Sequence, residues 1–568
     1  MKRSSVARAA FLSRATVAAA TVAVTAAATV SVAPAAPGSS AAPGSSGASG
    51  VTGSLGSVRQ ALTADPYRPE LHYTPERDWT NDPNGLVYHD GVWHMYYQYN
   101  PSGGIWGNIS WGHATSTDLM DWTEQPVAIP QTFNELGVPV EDIFSGSIVV
   151  DHDNTSGFGG QDADTNPPLV AVYTNNNTVL NPQAPMIQAL SLAYSTDGGY
   201  TWEKYEGNPV LDRGSQNFRD PRVFWHEGDD GEGYWVMAVV EATDHEVLLY
   251  RSDDLKDWDY LSTFGPANAV GGVWECPDLF EVPVDGDPNN TRWVLSVNLN
   301  PGAVGGGSGG QYFVGDFDGT TFTADGEGER WLDWGRDYYA AVSYDNVPDD
   351  RRIMTAWMNN WDYALTSPGY PWRSAMSLPR EVSLTDTGDR LELTQQVVDT
   401  VGDYQRDDEE VTIEDLSVPV GRQALDVSGD VLRLDLELET GDADKAGIIV
   451  RQSDDGSQGT RIGYDATTGK MYVDRTASGL TGFSPKFASV SSAPVSPAAQ
   501  VTPNGDGGTD TVTLQIYLDR SSVEVFSEDG TRTITDTIFP DTTSRGMSTF
   551  AEGGDATVRS LTVTPMGK

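Results

Sequence analysis

Ser116-Thr117-Asp118-Leu119-Met120-Asp121-Trp122 returns as Ser195-Thr196-Asp197-Gly198-Gly199-Tyr200-Thr201-Trp202 and as Ser252-Asp253-Asp254-Leu255-Lys256-Asp257-Trp258, with a degenerate fourth copy at Gly315-Asp316-Phe317-Asp318-Gly319. Between the copies stand short alternating apolar runs such as Leu169-Val170-Ala171-Val172-Tyr173 and Tyr234-Trp235-Val236-Met237-Ala238-Val239-Val240, bounded by Gly, Asp, Pro and Asn. Such runs are strands and hairpins, and no twelve-residue amphipathic helical stretch interrupts them. The leading Asp positions lie 79, 57 and 62 residues apart. Irregular repetition at four strands per unit fits propeller blades, and about 310 residues divided by that period predicts five. A jelly roll or other sandwich is the alternative until the motifs are weighed.

Working outward, composition divides the chain. All 16 Trp lie between Trp79 and Trp372 and all seven His between His72 and His245, while the rest has neither. A boundary therefore falls within residues 379–400, with a propeller over residues 65–395 and a second domain over residues 409–568. The second domain alternates in Val431-Leu432-Arg433-Leu434-Asp435-Leu436-Glu437-Leu438 and in Val512-Thr513-Leu514-Gln515-Ile516-Tyr517-Leu518, the pattern of an antiparallel β-sandwich. The expected fold is all-β: a five-bladed β-propeller followed by a C-terminal β-sandwich.

At the N-terminus, Lys2, Arg3, Arg8 and Arg14 precede an Ala/Val/Thr run and small residues up to Ala36. Residues 1–36 read as a secretory signal peptide and residues 37–64 as a Gly/Ser/Ala/Pro linker. The expectation is a secreted, extracellular protein with no membrane association after cleavage. The chain carries 81 Asp and Glu against 35 Lys and Arg, a formal charge of −46. Loss of the four basic signal residues makes the mature chain more acidic still. Such a surface repels phosphate backbones and excludes nucleic acid as a partner. A single cysteine, Cys276, excludes a disulfide framework and a Cys-built zinc site.

Three phrases carry carboxylates in unusual settings. Trp79-Thr80-Asn81-Asp82-Pro83-Asn84-Gly85 has the residues of a turn, but the flanking Trp and the strand that starts just after it put Asp82 at a strand edge. Phe218-Arg219-Asp220-Pro221 sets an Arg directly before Asp220; alone it reads equally well as a turn with a surface ion pair. In Trp274-Glu275-Cys276-Pro277-Asp278 the apolar neighbours of Glu275 should desolvate its carboxyl, which is what a general acid requires. Spacing alone cannot bring these three together, but a propeller can, because the innermost strands of successive blades share one axis. An ionised carboxylate facing a protonated one across a sugar ring is the requirement for glycoside hydrolysis, and Trp faces stack on the apolar faces of sugars.

Taken together the motifs resemble glycoside hydrolase family 32, the invertase, inulinase and levanase group of β-fructosidases. The phrases that carry the resemblance are those around Asp82, Asp220 and Glu275, with Gln98-Tyr99-Asn100-Pro101, Trp106-Gly107-Asn108, Phe144-Ser145-Gly146-Ser147, Trp357-Met358-Asn359-Asn360-Trp361 and Trp372-Arg373-Ser374 running on to Arg380. Val473-Asp474-Arg475 and Asp519-Arg520-Ser521-Ser522-Val523-Glu524-Val525-Phe526 extend it into the second domain. The resemblance implies retaining chemistry with no cofactor and no metal. Asp82 is then the nucleophile, Glu275 the acid/base, and Asp220 the stabiliser of the transition state, with Arg219 tuning charge. Asn81, Gln98, Trp106, Ser145 and Trp334 are the remaining sugar contacts. Substrates are fructans (levan or inulin) and sucrose, cut from chain ends because Trp106, Trp334 and Trp357 narrow the mouth. Residues 302–310, rich in Gly, read alternatively as a mobile lid. A fructotransferase or an endo-acting fructanase of the same family shares the same carboxylates, whereas inverting arabinanases and xylosidases lack the phrase around Asp82.

Overall fold

The computed structural model describes residues 65–495 and 511–567, apart from residues 162, 164, 229, 230, 232 and 327. The signal-peptide and linker segments read from residues 1–64 lie outside the described residues. The described chain is all-β, its helical segments being short 3-10 turns of which Asp399–Tyr404 is the longest. No helix among the described residues is long and apolar enough to cross a membrane.

Four antiparallel meanders precede the C-terminal region. The first runs Asp78–His89, Val92–Asn100, Ser110–Ser116 and Thr123–Ile129, with Trp372–Arg373 added in parallel on Asp78 and Trp79. The second is built around Pro139–Val150, Leu169–Asn177 and Gln188–Ser195, and the third runs from Phe218–Glu227 to Asp259–Phe264. The fourth has nine strands, but its halves, which start at Val273–Val284 and at Tyr339–Ser343, are joined through the single pair Val284 and Leu384. The strands Asp78–His89, Pro139–Val150, Phe218–Glu227, Val273–Val284 and Tyr339–Ser343 each pack against the next, and the last packs against the first.

The repeat that opened the sequence reading is the turn between the third and fourth strands of a sheet. The carboxylate of Asp118 accepts hydrogen bonds from the hydroxyl of Ser116 and the N–H groups of Met120 and Asp121, at 2.8–2.9 Å. Asp254 does the same with Ser252, Lys256 and Asp257, and Asp197 with Ser195, Tyr200 and Thr201. The Trp of each copy folds back so that its indole N–H donates to a turn carbonyl, at 2.9 Å from Trp122 to Leu119, 3.0 Å from Trp202 to Gly199 and 2.9 Å from Trp258 to Leu255. Local side-chain bonding of this kind replaces the ladder where the strands reverse. In the fourth copy it is Asp318, rather than Asp316, that caps the turn through Thr320 and Thr321.

From Val411 onward two six-stranded antiparallel sheets face each other. Leu434, Leu436 and Leu438 of one and Ile448, Val450 and Ile462 of the other share one apolar core, so the alternation read from sequence is that of a sandwich. Its junction with the preceding sheets contains buried charges. His72 lies between Asp519 and Glu524 at 2.8 Å on each side, all three side chains fully buried. Arg380 pairs with Glu524 and, at 3.1 Å, with Asp333. Arg475 reaches the other way, pairing with Asp337 at 2.6 Å and donating to the Tyr363 hydroxyl at 2.7 Å.

The two carboxylates raise His72 to about 9, outweighing the burial that opposes its charge, while Arg380 and His72 hold Glu524 down at about 2 against its own burial. A histidine raised on folding contributes stability that is complete below its ordinary value near 6.5 and is lost as pH climbs through about 9. Thermal stability should therefore fall between pH 6.5 and 9 by on the order of 3 kcal/mol from this group, and His72→Gln should be less stable at pH 6 with a flatter alkaline decline. Melting curves across that range check both. Truncation near Thr400 removes Asp519 and Glu524 from His72, Glu524 from Arg380 and Arg475 from Asp337, at about 3–5 kcal/mol for each buried pair broken. The expected product is an aggregating fragment, tested by size-exclusion chromatography and a melting scan.

Candidate active site

Each of the five neighbouring strands is interrupted at the same height. In Asp78–His89 the register passes from Thr80 paired with Tyr99 to Pro83 paired with Tyr97, so that Asn81 and Asp82 face the single residue Gln98. The same two-against-one bulge holds Phe144 and Ser145 opposite Thr174, Asp220 and Pro221 opposite Val239, Cys276 and Pro277 opposite Val297, and Ala340 and Ala341 opposite Ala356. Bulges re-aim side chains and tolerate a proline, which has no N–H to give to the ladder. Asp220, Cys276 and Ala340 take the left-handed backbone a bulge can require, with φ of 63°, 44° and 54°. The Asn-Asp-Pro and Arg-Asp-Pro phrases are thus interruptions within strands; the turn reading fails because Pro and Asp serve a bulge as well as they serve a turn.

Above the bulges lies a cavity of about 370 Å³. Asp82, Asp220 and Glu275 line it, as do Asn81, Gln98, Trp106, Ser145 and Arg219. Trp334 does not. Its backbone N–H donates to Thr533 at 2.9 Å and the Arg532 guanidinium lies over its ring at 5.9 Å, so it packs at the junction with the sandwich. Trp357 is fully buried, against Trp79 and Trp361, and of its segment it is Trp361 that reaches the cavity. Trp106 is 44% exposed at the mouth. Residues 302–310 are tied down by the Asn360 amide, which donates to the carbonyls of Gly306 and Ser308 at 3.1 and 3.2 Å.

Asp82 is held on both oxygens. Asn81 donates to one at 3.0 Å and is itself fixed by the Trp79 indole at 2.7 Å; Ser145 donates to the other at 2.8 Å. Burial first, then the charge of Glu275, raises the Asp82 carboxyl above its ordinary value, and the bonds from Asn81, Ser145 and Cys276 pull it back toward ionisation. Burial pushes Asp220 further, to about 7, with Glu275 and Asp82 adding to the rise and Arg219 opposing it. The Cys276 N–H donates to Asp220 at 2.9 Å.

Glu275 departs from expectation in its surroundings. Trp274 turns away into the core between sheets, because neighbouring residues of a strand point to opposite faces. The carboxylate is 22% exposed and is met by polar groups: Arg219 lies 3.2 Å (Nε) and 3.1 Å (Nη2) from one oxygen, and the Tyr339 hydroxyl donates to the other. Tyr339 was missed by the sequence reading, since an Asp-Tyr-Tyr-Ala stretch offers no signal apart from its aromatic residues. Gln188, whose side-chain oxygen accepts from Arg219 at 3.3 Å, was missed for the same reason. Among the described residues no group of three or more His, Cys, Asp or Glu has the arrangement to hold a metal ion.

A cavity with three converging carboxylates, one cation and an aromatic mouth is the site of a carbohydrate-cleaving enzyme. Residues 72–396 match the model of the glycosyl hydrolases family 32 N-terminal domain, and residues 400–565 match that of the family's C-terminal domain. The chain belongs to glycosyl hydrolase family 32. It is 44% identical over 516 residues to a levanase of Bacillus subtilis, covering 88% of this chain and 71% of the relative. Among solved structures it is similar to the exo-inulinase of Aspergillus awamori, with a TM-score of 0.81 and 40% identity over 88% of this chain and 98% of that one. It is also similar to a β-fructofuranosidase of Schwanniomyces occidentalis complexed with fructosyl-erythritol, with a TM-score of 0.78 and 33% identity over 89% and 99%. Both solved relatives carry the family's propeller and sandwich.

Burial and the surrounding carboxylates Asp220, Asp82 and Glu275 raise the Cys276 thiol well above its ordinary value. Only the thiolate is nucleophilic, so iodoacetamide at pH 8 should label Cys276 in the folded chain at least about 100-fold more slowly than in denaturant, as read by intact-mass spectrometry.

Proposed function

We propose that this chain is a secreted, retaining β-fructosidase that releases terminal fructofuranosyl units from levan or inulin and cleaves the fructosyl bond of sucrose. The observation that carries the reading is the convergence of Asp82, Asp220 and Glu275, from three strands, on one cavity. On two of those strands, beyond the bulges, Arg222 pairs with Asp278 at 3.0 Å with both side chains buried. A cavity that gives way to such a packed interior admits a chain end and not a chain middle. The extracellular location draws on the charged-then-apolar N-terminus and on relatives described as extracellular.

Asp82 attacks the anomeric carbon, the bond to the leaving oxygen breaks, and Glu275 gives that oxygen its proton. In the second step Glu275, now ionised, takes a proton from water as the water displaces Asp82. The donors on Asp82 from Asn81 and Ser145 keep it ionised for attack without occupying it fully. Arg219 has only N–H donors, so the Glu275 oxygen it contacts is an acceptor; the oxygen facing Tyr339 is the one that takes the transferable proton, the Tyr339 hydroxyl donating to it only while Glu275 is ionised. Asp220, facing the same space, holds the fructose hydroxyls, with Arg219 beside it at 3.9 Å.

The five-bladed count belongs to the same reading. It is supported by the closed ring of five neighbouring strands and by the single pair that joins the halves of the nine-stranded sheet. We read residues 65–395 as the catalytic propeller and residues 409–568 as the sandwich.

Asp82→Asn and Glu275→Gln should each lower kcat by roughly 10³-fold or more with the fold intact by circular dichroism, because each removes half of a two-step displacement. Azide should partly restore Glu275→Ala toward substrates with activated leaving groups. Fructose should be the sole early product from levan and inulin; a ladder of oligosaccharides would indicate endo action, and difructose anhydride a transferase. Tyr339→Phe removes a donor to ionised Glu275, so kcat should fall about tenfold with KM little changed. An unchanged kcat would reduce Tyr339 to packing.

A further inference from the structure

A second cavity of about 330 Å³, nearly as large as the first, lies between residues 395–402 and the outer face of one sandwich sheet. None of its lining residues is shared with the active site. Its position is peripheral, since Leu391–Val397 is an outer strand, paired to Arg380–Asp386. Protein interiors rarely leave voids of this size between packed layers. At one end the gap is closed by backbone: Gln395 donates to the Gly530 carbonyl at 2.9 Å, and a Cβ on Gly530, whose φ is +67°, would lie 2.7 Å from the Gln395 oxygen.

Inside, the cavity has two unlike ends. Tyr517 and Phe526, edge to face at 5.9 Å, meet Val397 and Val401 in one apolar cluster. Further along the same strands the outward positions are polar. Arg433 opposes Tyr517, Asp435 opposes Gln515, and Thr513 follows. Arg433 contacts both oxygens of Asp435, at 3.0 and 3.1 Å, and the Gln515 amide donates to Asp435 at 3.3 Å. This fixes the array while leaving Asp435 38% exposed. The alternation of this sheet accounts for polar residues on its outer face, but it does not account for a segment folded over that face at a distance.

The lining carries one cation, Arg433, against Asp399, Asp435 and Glu528, which disfavours an anionic ligand. What remains is a neutral ligand with an apolar face and hydroxyl edges that both donate and accept, which describes a saccharide. We propose that this cleft is a second fructan-binding site that retains the polymer while the axial cavity cleaves its end. The choice of fructan among saccharides rests on the function proposed above. Two sites on one long substrate raise the effective concentration of chain ends at the cavity, so the benefit falls on polymers and not on sucrose.

The test is affinity electrophoresis of the full chain in native gels containing levan, inulin or, as a control, dextran, alongside kinetics on sucrose. Asp435→Ala/Gln515→Ala removes the polar array, and Gln396→Trp, at an exposed rim position, obstructs the cleft without entering the core. Both should weaken retardation by levan or inulin about tenfold and raise KM for the polymer, with kcat/KM on sucrose unchanged. Asp82→Asn should lose turnover and keep retardation. Wild-type mobility unaffected by levan and inulin while sucrose is cleaved, or retardation that survives both variants, would overturn the cleft and leave the proposed function standing. Retardation without cleavage of any fructoside would overturn the proposed function and leave a saccharide site, and equal retardation by dextran would overturn the fructan assignment.

Discussion

A strand that runs along a central axis alternates its side chains between its two neighbours, and so cannot by regular geometry present successive polar residues to one cavity. Five neighbouring strands here meet that constraint with one device, a two-against-one bulge at a common height. The bulge breaks the ladder where Pro83, Pro221 and Pro277 could not have contributed to it. The loss is made up across strands: the Asp220 N–H donates to the Thr174 hydroxyl at 2.8 Å, and the Ala341 N–H to the Asn298 side chain at 3.3 Å. Gln98, opposite the first bulge, donates to the Ile143 carbonyl at 3.1 Å and so fixes the first strand to the second. Residues opposite the bulges therefore both support the site and join one sheet to the next.

Gathering three carboxylates in a space with little water is unfavourable unless donors separate their roles. Asp82 receives short neutral donors on both oxygens, Glu275 receives the guanidinium of Arg219, and Asp220 receives a backbone N–H from the Cys276 bulge. The same burial thus gives unlike results, with Asp220 raised to about 7 and Asp82 drawn back toward ionisation by its donors. Asp82 and Asp220 are set apart in this way by what donates to them, with the same residue type at both positions.

The sequence showed the sheets and the carboxylates but not how one serves the other. Ser-x-Asp with a Trp four or five residues on is legible because a turn needs only local groups, and the structure places these copies at strand reversals with the Asp and Trp bonded within the turn. Bulges are not legible in the same way, since Asp-Pro reads as a turn until the pairing partner is known, and the partner lies in another strand. The assignments of Trp334 and Trp357 failed for a related reason. Trp106, Trp334, Trp357 and Trp361 have no local difference in sequence that separates the mouth of the cavity from the core or the junction; only Trp106 and Trp361 reach it.

The phrases that extend the family likeness into the second half, around Arg380, Arg475, Asp519 and Glu524, hold no substrate group. They are the junction. Arg380 carries its charge from the nine-stranded sheet into the sandwich, and Arg475 carries its own in the reverse direction. Buried ion pairs contribute little net stability against apolar replacements, but removing one partner leaves an expensive charge behind. Such a junction fixes one relative placement of the two sheet systems and penalises every other. Close by, Trp372 pairs in parallel with Asp78 at the start of the strand that carries Asp82, and Asn359 and Asn360 directly precede Trp361, which lines the cavity. Through Arg475 and Asp337 the sandwich is bonded two residues ahead of Tyr339, the donor to Glu275, and that link is made of buried charge.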